Sequence, residues 1–534
     1  MKKLLPFFLF VLPSFSFSQP IIQWQKTYGG TAVDEASVIR ATSDGGYIIT
    51  GLSTSADGDV SGHQGASDHW VVKLDAVGNI EWNNSFGGSA DDKGYDILQT
   101  SDGGYVFTGY ESSVDGDVSS NNGSTDYWVV KLDNTGDLQW QKSYGGSGAD
   151  NSYAIIQTLD GGYAVTGLSN TTNGTGDVSG NNGSFDYWLC KLDASGNLQW
   201  QKSLGGTATE QAFGIVQTAD SSYVLCGYSS SPNTGMVTGN HGSNDYWIVK
   251  IDKTGELLWQ RSYGGSGSDR AFGISKTSDG GFIVNGVSPS TDGDVTGNHG
   301  DNDYWVVKLD SEGLLQWQKS LGGSGDDFGR IAFELTDGGY MVGGRTNSPN
   351  DGDVKDIHGD YDYWLLKLNS TGSIVWKKCL GGSLGEGAPP SLVPFMNVIA
   401  LPDGYFAMAG ATFSTDGDVI GNVSADVNDD NYWVVNFIDS SSIPTSAATL
   451  NNGIENTITI YPVPVHDLLT VSFSSQQSQI VVSLYSIEGR LLLTATQHES
   501  QNMELAVGNY SNGIYFLKIT DEKGNVQQKK IIRN

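Results

Sequence analysis

The sequence predicts an all-β protein, namely a seven-bladed β-propeller followed by a small immunoglobulin-like β-sandwich. The main observation is a block of about 58 residues that repeats seven times between Trp24 and Trp433. Each block has four short runs rich in aromatic and β-branched residues, and none has an apolar pattern of helical period. Regular spacing of this kind marks stacked or radially arranged copies of one unit. The tryptophans that open the blocks are Trp24, Trp82, Trp140, Trp200, Trp259, Trp317 and Trp376.

The clearest copy shows how one block makes four strands. Its strand-like runs are 104–110, 127–132, 138–143 and 152–158, and clusters of Gly, Asp and Asn bound them. In the segment 132–136, an Asp that can bond its own backbone precedes a Gly suited to positive φ, which indicates a tight hairpin. Seven four-stranded sheets of this kind predict a propeller.

The two ends of the array predict that it closes into a ring. The first copy begins with a tryptophan-bearing strand at 22–28 and a second strand at 36–42. The last copy ends after strand-like runs at 404–410 and 432–437 and lacks the counterparts of those two strands. We therefore expect both early strands to complete the final sheet. Such closure leaves no unpaired edge strand, which lowers the risk of aggregation.

Composition and charge limit the classes of function. The chain has 534 residues, of which 38% are hydrophobic and 72 are glycine, and this suits short strands and tight turns around a core. The formal net charge is −31, so nucleic acid and anionic membrane surfaces are disfavoured as partners, whereas divalent cations are favoured. We expect a monomer without a transmembrane segment.

The amino terminus predicts secretion. Residues 1–18 combine two lysines, an apolar stretch at 4–12 and small residues near the end, which is the composition of a signal peptide. The apolar stretch is too short to span a bilayer.

Cys190, Cys226 and Cys379 lie in or beside predicted strands. An odd, scattered set of cysteines favours buried thiols over a disulfide framework.

A different pattern follows the repeats. The propeller is predicted over 19–440, a linker rich in Ser, Thr, Ala and Asn over 441–456, and a second β-domain over 457–534. Short strand-like runs separated by turn signals predict a small β-sandwich in this domain. The runs are 457–461, 468–473, 480–486, 491–496, 513–520 and 527–532.

Five motifs follow one another in this last domain. They are Ile-Tyr-Pro-Val-Pro at 460–464, Leu-Leu-Thr-Val at 468–471, the segment 482–490, Gly-Ile-Tyr-Phe-Leu-Lys at 513–518 and Lys-Lys-Ile-Ile at 529–532. In this order they resemble the carboxyl-terminal sorting domain of type IX secretion substrates, although the family usually has Asn where this chain has Val463. The resemblance implies contact with the type IX secretion machinery, export through the outer membrane of a Gram-negative bacterium, and release or attachment at the cell surface. An immunoglobulin-like binding module is the alternative interpretation.

One motif of the repeats supports a looser resemblance. From Lys131 to Trp140, a strand ending in Leu-Asp, a Gly turn and a tryptophan-bearing strand follow one another. This order is similar to that in quinoprotein-type propellers. Because fold alone carries no function, the resemblance implies only the architecture.

The best candidate for a metal site is the loop between the first two strands of each blade. Carboxylates at loop positions one, three and twelve, with a hydroxyl at five, match the ligand spacing of an EF-type calcium loop. Position twelve is Asp rather than the usual Glu and no helices flank the loop, so Asx turns and strand capping are the competing interpretation. The predicted calcium ligands are Asp57, Asp59, Ser61 and Asp68, then Asp115, Asp117, Ser119 and Asp126, and finally Asp292, Asp294, Thr296 and Asp303.

Two other repeated features favour structural roles. Tyr-Trp pairs such as Tyr127 and Trp128 could stack on sugars, but strand alternation favours packing of at least one member between blades. His241, His299 and His358 recur at one loop position in three blades, and we expect polar loop residues rather than one metal site.

The sequence contains no nucleophile elbow, His-Glu-x-x-His motif, phosphate loop or Cys-based metal spacing. Near-identical blades without one asymmetric cluster favour a secreted or surface-displayed binding or adhesion module for glycans or proteins. The alternative is a secreted polysaccharide hydrolase or lyase, or a quinoprotein-like enzyme, with its site at the propeller axis. The insertions at 385–394 and 422–430 would point to that alternative.

Overall fold

A computed structural model describes residues 20–387, 396–422, 429–439, 458–461, 465, 468–486, 491–510, 513–521 and 526–533. The predicted signal peptide and linker lie outside these residues, as do Val463 and parts of both insertions. The elements of the described residues are strands and one 3₁₀ turn, Pro402–Gly404, in agreement with an all-β fold. The chain divides into two compact units, one formed mainly by the repeats and the other mainly by the carboxyl-terminal domain.

The repeats form seven four-stranded antiparallel sheets. Six of them consist of four consecutive strands, each strand paired with the next one along the chain. After β1 (Pro20–Tyr28), these six sheets are β2 (Asp34–Ala41), β3 (Tyr47–Ser53), β4 (Asp68–Leu74) and β5 (Ile80–Phe86); β6 (Asp92–Gln99), β7 (Tyr105–Glu111), β8 (Asp126–Leu132) and β9 (Leu138–Tyr144); β10 (Asp150–Gln157), β11 (Tyr163–Ser169), β12 (Asp186–Leu192) and β13 (Leu198–Leu204); β14 (Glu210–Gln217), β15 (Tyr223–Ser229), β16 (Asp245–Ile251) and β17 (Leu257–Tyr263); β18 (Arg270–Lys276), β19 (Phe282–Ser288), β20 (Asp303–Leu309) and β21 (Leu315–Leu321); and β22 (Asp327–Glu334), β23 (Tyr340–Thr346), β24 (Asp362–Leu368) and β25 (Ile374–Leu380).

The seventh sheet joins the two ends of the repeat array. Its strands are β26 (Met396–Ala400), β27 (Tyr405–Thr412) and β28 (Asn431–Asp439), and β1 pairs beside β28. The predicted closure by the first strand is confirmed, but the prediction that the second strand also joins this sheet was wrong. β2 is the first strand of its own sheet, and β26 takes that position in the seventh. A long segment with two consecutive prolines precedes β26 and interrupts the repeat pattern. The strand was therefore not predicted from the repeat.

Neighbouring sheets pack through the repeated Tyr-Trp pairs. Tyr127 and Trp128 are fully buried, and the Tyr127 hydroxyl donates to the backbone oxygen of Trp188 in the next sheet at 2.9 Å. The same bond runs from the Tyr432 hydroxyl to Trp70 O at 3.1 Å, so it also links the last sheet to the first. The predicted packing role of these pairs is confirmed, with both members buried. Further bonds of this kind join Tyr187 to Trp247, Tyr246 to Trp305 and Tyr304 to Trp364.

The carboxyl-terminal unit has a separate sheet and core. Its strands are β29 (Ile458–Tyr461), β30 (Leu468–Ser486), β31 (Leu491–Ala506), β32 (Gly513–Asp521) and β33 (Val526–Arg533). They pair in the order β29-β30-β32-β33, and β31 also pairs with β30. The predicted runs at 468–473 and 480–486 form one continuous strand, whose alternate residues Val482 and Leu484 lie in a buried apolar cluster with Leu517.

Candidate functional site at the innermost strands

The first strand of each sheet contacts the first strands of the neighbouring sheets, and we call these seven strands the innermost strands. In six of them the pairing register skips one residue, which is the signature of a β-bulge. A bulge bends the strand and redirects the extra side chain. The residues at the bulges are Ser37, Tyr95, Tyr153, Phe213, Phe272 and Arg330.

Four of the bulge residues form an aromatic belt, which we define as Tyr95, Tyr153, Phe213 and Phe272. Ring centroids are 4.9 Å apart for Tyr95 and Tyr153, 4.9 Å for Tyr153 and Phe213, and 5.2 Å for Phe213 and Phe272. Both phenylalanines are buried, whereas both tyrosines keep partial exposure. Burial raises the pKa of both tyrosine hydroxyls well above the usual value, so they remain neutral hydrogen-bonding groups. The belt thus crosses four consecutive sheets.

Charged groups continue the belt at both ends. Arg330 follows Phe272 in the series of bulges, and its Nη1 donates to the backbone oxygen of Phe272. At the other end, Arg40 Nη2 lies 2.9 Å from Asp96 Oδ1. Asp96 Oδ2 accepts a bond from Ile155 N at 3.1 Å, which fixes the carboxylate across the sheet boundary. Burial lowers the pKa of Arg330, but an arginine starts high enough to stay charged at neutral pH.

These groups line one pocket of about 250 Å³. Its wall includes the belt, Arg40, Asp96 and Arg330, together with apolar residues from the carboxyl-terminal halves of the innermost strands. Aromatic faces can pack against the apolar face of a ring-shaped ligand, and a guanidinium can bind a carboxylate through two parallel hydrogen bonds. A concave, mainly apolar pocket with a few converging polar groups is the usual form of a ligand site.

Sequence reasoning missed this asymmetric site. It treated the copies as nearly identical and looked for motifs, whereas the bulge position carries a hydroxyl, an aromatic or a guanidinium side chain in different copies. Ser37, Phe213 and Arg330 occupy the same place in three copies whose flanking strands match closely. A column-by-column comparison of the seven blocks would have shown the variation. It would not have shown the bulge, which arises from the pairing register.

The Asp-Gly-Asp loops do not gather their own carboxylates. Asp57 accepts bonds from the backbone and hydroxyl of Thr31, and Asp59 contacts Gly29 N at 3.4 Å. Ser61 instead bonds to the oxygens of Asn83. In the part of the chain that the structure describes, no three His, Cys, Asp or Glu side chains stand together as a metal-binding group. Calcium binding within a single loop therefore stays a prediction.

The aspartate at loop position twelve is placed differently, because it opens the third strand of its sheet and is buried. Asp126 Oδ2 accepts a bond from Asn122 N at 2.8 Å. Burial raises the pKa of Asp126 to about 6, and the charge of Asp150 adds to the rise. Asp68 and Asp303 occupy the same buried position in their sheets.

The earlier positions of the loops are exposed or half-buried. Asp115 and Asp292 each accept a bond from a serine backbone N–H across the sheet boundary, at 2.8 Å and 2.7 Å. In the same loops Asp117 and Asp294 are half-buried, whereas Ser119 and Thr296 are exposed. The hydroxyl of Thr296 accepts a bond from Gln318.

The loop histidines and the cysteines have structural environments. The Nδ1 atoms of His241, His299 and His358 lie 2.8, 2.8 and 2.7 Å from the buried aspartate four residues later, as expected for polar loop residues. All three cysteines are buried and free, which agrees with the prediction of buried thiols.

Comparison with known proteins identifies the carboxyl-terminal domain. Residues 459–533 match the family model of the secretion system C-terminal sorting domain. The resemblance inferred from the order of the motifs is thus confirmed for this part of the chain. The protein is a substrate of type IX secretion and is exported to the cell surface or outside the cell. The part of the chain that the structure describes contains no helix with the length and hydrophobicity needed to cross a bilayer.

The repeats have more distant relatives. The chain is 22% identical over 455 residues to regulatory protein FlaEY of Caulobacter vibrioides, which covers 76% of this chain and 46% of that protein. The chain therefore spans about half the length of this curated relative. Among solved structures, Sqt1 from Chaetomium thermophilum aligns with 79% of this chain and 100% of its own, at 11% identity and a TM-score of 0.37. A puromycin hydrolase aligns with 84% of this chain and 62% of its own, at 12% identity and a TM-score of 0.43.

Proposed function

We propose that this exported protein is a seven-bladed β-propeller that binds acidic glycans in the pocket at its axis. The observation that carries the proposal is the set of bulges, which direct four aromatic rings and Arg330 into one pocket. In the same proposal, residues 1–18 are a signal peptide, 19–440 form the propeller, and 441–456 link it to an immunoglobulin-like sandwich at 457–534. The cell is Gram-negative and the protein acts as a monomer.

The chemistry of the pocket favours a sugar acid over a neutral ligand. Arg40 is already paired with Asp96, whereas within the described part of the chain Arg330 has no carboxylate within ion-pair distance. A chain with a net charge of −31 repels anions in general, so a pocket with two arginines and one aspartate is a local exception. The carboxylate of a uronic acid would pair with Arg330 while the sugar ring packs on the belt.

The size of the pocket favours a glycan over a protein ligand. A volume of about 250 Å³ suits one sugar residue of a longer chain rather than a folded partner, which would need a broad surface. Repeating sugar chains also suit a secreted adhesion module, because several copies displayed on one cell can engage one polymer.

The test is a titration of the full-length protein with an oligomer of galacturonic acid and with its neutral galactose counterpart. We expect the natural protein to bind the neutral oligomer at least tenfold more weakly than the acidic one. We also expect Arg330→Gln to bind the acidic oligomer at least tenfold more weakly than the natural protein does. The matched control is Arg261→Gln, which removes the same charge from β17, an edge strand that contributes no residue to the pocket wall. There Arg261 packs on Trp259 at 5.6 Å. Unchanged affinity in Arg330→Gln, with both variants folded as judged by thermal melting, would overturn the proposal.

The same samples test the enzyme alternative. Release of reducing ends or of unsaturated sugars from the acidic oligomer, lost in Arg330→Gln, would identify a hydrolase or lyase. Turnover of a quinone-dependent dye would identify a quinoprotein-like enzyme. Binding without turnover supports the adhesion module.

A further inference from the structure

One buried aspartate recurs in six sheets with an unsatisfied oxygen. It opens the third strand of the sheet, is fully buried, and has no hydrogen-bond partner for its Oδ1 atom. A buried carboxylate oxygen without a donor is costly, so its repetition calls for a physical reason. The six residues are Asp68, Asp126, Asp186, Asp245, Asp303 and Asp362.

Each unsatisfied oxygen faces an acidic residue of the next sheet. A Cβ atom placed on Gly145 would lie 2.3 Å from Asp126 Oδ1 and 2.8 Å from Asp150 Oδ2, so the two oxygens border one small space that only glycine leaves open. Asp150 Oδ2 already accepts bonds from Gly146 N and from the Thr171 hydroxyl. The other pairs are Asp68 with Asp92, Asp186 with Glu210, Asp245 with Asp269, Asp303 with Asp327, and Asp362 with Glu386.

A third carboxylate reaches the same glycine. Asp177 Oδ2 lies 3.4 Å from Gly145 N, and the corresponding distances are 3.3 Å from Asp117 to Gly87 and 3.2 Å from Asp294 to Gly264. Asp117 and Asp294 are the residues at position three of an Asp-Gly-Asp loop. Position three of one loop therefore approaches position twelve of the preceding loop, across the boundary between two sheets. The sequence predicted that positions three and twelve of the same loop act together. In the structure, position three of one loop instead lies near position twelve of the preceding loop.

The seventh boundary has an asparagine where the other six have aspartate. A Cβ atom on Gly29 would lie 2.0 Å from Asn431 Oδ1 and 2.5 Å from Asp34 Oδ2. Asn422 Nδ2 donates to two backbone oxygens, so its own Oδ1 accepts from Asn431 Nδ2 at 2.7 Å. This bond turns the unpartnered amide oxygen of Asn431 towards Asp34.

Either a shared proton or a bound cation could explain why two oxygens face each other, and Asn431 distinguishes between them. Two carboxyl groups could share one proton, but an amide oxygen carries none. Asp34 Oδ2 already accepts bonds from Gly30 N at 2.7 Å and from the Ser55 hydroxyl at 2.9 Å, which leaves it poorly placed to donate one. Asp430, buried and without a partner for either oxygen, adds a carboxylate next to this boundary. A cation satisfies all seven boundaries in the same way, since it needs only oxygens.

We infer that the boundaries between consecutive sheets bind divalent cations, with calcium as the chemically best-matched ion. The ligands at each boundary are the buried aspartate or Asn431 and the acid of the next innermost strand. At six boundaries the position-three aspartate of the next loop is a third ligand, whereas at the boundary of Asp186 and Glu210 that position is Met236. In the described residues these side chains are too far apart to form a metal-binding cluster, because their like charges repel one another. A bound ion would offset the repulsion and draw them together. Extracellular calcium sites have dissociation constants of about 10⁻⁴ to 10⁻³ M, so the exported protein would load after secretion.

The experiment uses the full-length protein stripped with a chelator, then dialysed against 2 mM CaCl₂ or against NaCl of equal ionic strength. Bound calcium is counted by elemental analysis and the melting temperature is measured in both. We expect saturable uptake of several ions per chain, and a rise in melting temperature with calcium that NaCl does not reproduce. An equal rise in NaCl, or no saturable uptake, would overturn the inference.

Two triple variants assign the site. In Asp126→Asn/Asp245→Asn/Asp303→Asn, three boundaries keep a ligand oxygen but lose its charge, as at Asn431, and should bind calcium more weakly. Uptake at 2 mM calcium should therefore fall, by up to about three ions. The natural Asn431 indicates that the backbone accepts this change. The control Asp115→Asn/Asp292→Asn/Asp351→Asn alters the net charge equally but removes only the position-one carboxylates, and it should keep full uptake. Loss of uptake in the control alone would place calcium within single loops and contradict the inference.

If the first variant fails to fold, Asn431→Asp gives the opposite test. It adds a carboxylate at the seventh boundary, so calcium should raise the melting temperature more than in the natural protein. No added effect would count against the site.

Discussion

The boundaries between sheets and the pocket at the innermost strands are built on opposite principles. At the boundaries all seven copies have two facing oxygens and a buried tryptophan, which follows a tyrosine in six copies and His69 in the first. At the bulges the copies differ, from Ser37 through Phe213 to Arg330. Repetition lets every sheet fit its neighbour and the last sheet fit the first. Variation at the bulge position of six sheets then makes an asymmetric pocket within a nearly symmetric frame.

The largest expected effect is on stability, at a boundary. Trp188 is fully buried, contacts the Tyr127 ring at a centroid distance of 4.6 Å, and its backbone accepts the Tyr127 hydroxyl bond. Trp188→Ala should lower the free energy of unfolding by about 3–5 kcal/mol, because it leaves a cavity between two sheets. Urea denaturation followed by circular dichroism measures this change.

A half-buried tryptophan in the outer strand is the control for that prediction. Trp140 packs on Tyr163 at 6.0 Å and keeps partial exposure, so Trp140→Ala should cost clearly less than Trp188→Ala. Equal losses would mean that the boundary is not the main source of stability.

The sequence was sufficient for the features that repeat. The spacing of the tryptophans predicted seven sheets of four strands, and the Tyr-Trp pairs predicted the packing between them. It was insufficient where one residue departs from the period. The strand at Met396–Ala400 was missed because an irregular segment precedes it, and the pocket was missed because a bulge changes direction without changing the sequence pattern.

The loop aspartates show a related limit. Their spacing along one chain segment matched a calcium loop, whereas the structure brings Asp117 towards Asp68 of the preceding loop, with Gly87 between them. Spacing along the chain predicts ligands well when one loop folds back on itself. It fails when two copies of a loop share a boundary, because the second set of oxygens lies about one repeat away.

An intermediate effect is expected at the turns of the Asp-Gly-Gly motif. Lys131 is buried, and its Nζ atom lies 3.1 Å from Asp102 Oδ2 and 2.9 Å from Leu132 O. Asp102→Asn removes the charge that balances this ammonium group, so we expect a loss of about 1 kcal/mol, since Asp102 is itself largely exposed. Urea denaturation checks it. Lys131→Met in the same background should recover part of the loss, and further destabilisation by the second change would contradict this account.

The smallest effect is a dependence on acid pH at the same turns. Burial disfavours ionisation of Asp44 and Asp279, but hydrogen bonds from Lys73 and Lys308 and from neighbouring groups outweigh it and lower the pKa of both carboxyls to about 2. A carboxyl whose pKa is lower in the folded chain contributes stability above its ordinary pKa near 3.8 and loses it as pH falls towards 2. The melting temperature should therefore decline below about pH 4.

A salt series and one variant distinguish the contribution of these turns to the pH dependence of the melting temperature from the contribution of the buried aspartates between sheets. Asp44 and Asp279 are about half exposed, so high salt should weaken their contribution. In Asp279→Asn the decline should become shallower while the melting temperature at neutral pH falls slightly. Burial instead raises the pKa of Asp186 to about 7, and such a group favours the folded state at low pH and loses that contribution as pH rises. An acid decline that is unchanged in Asp279→Asn would assign it to groups other than these turns.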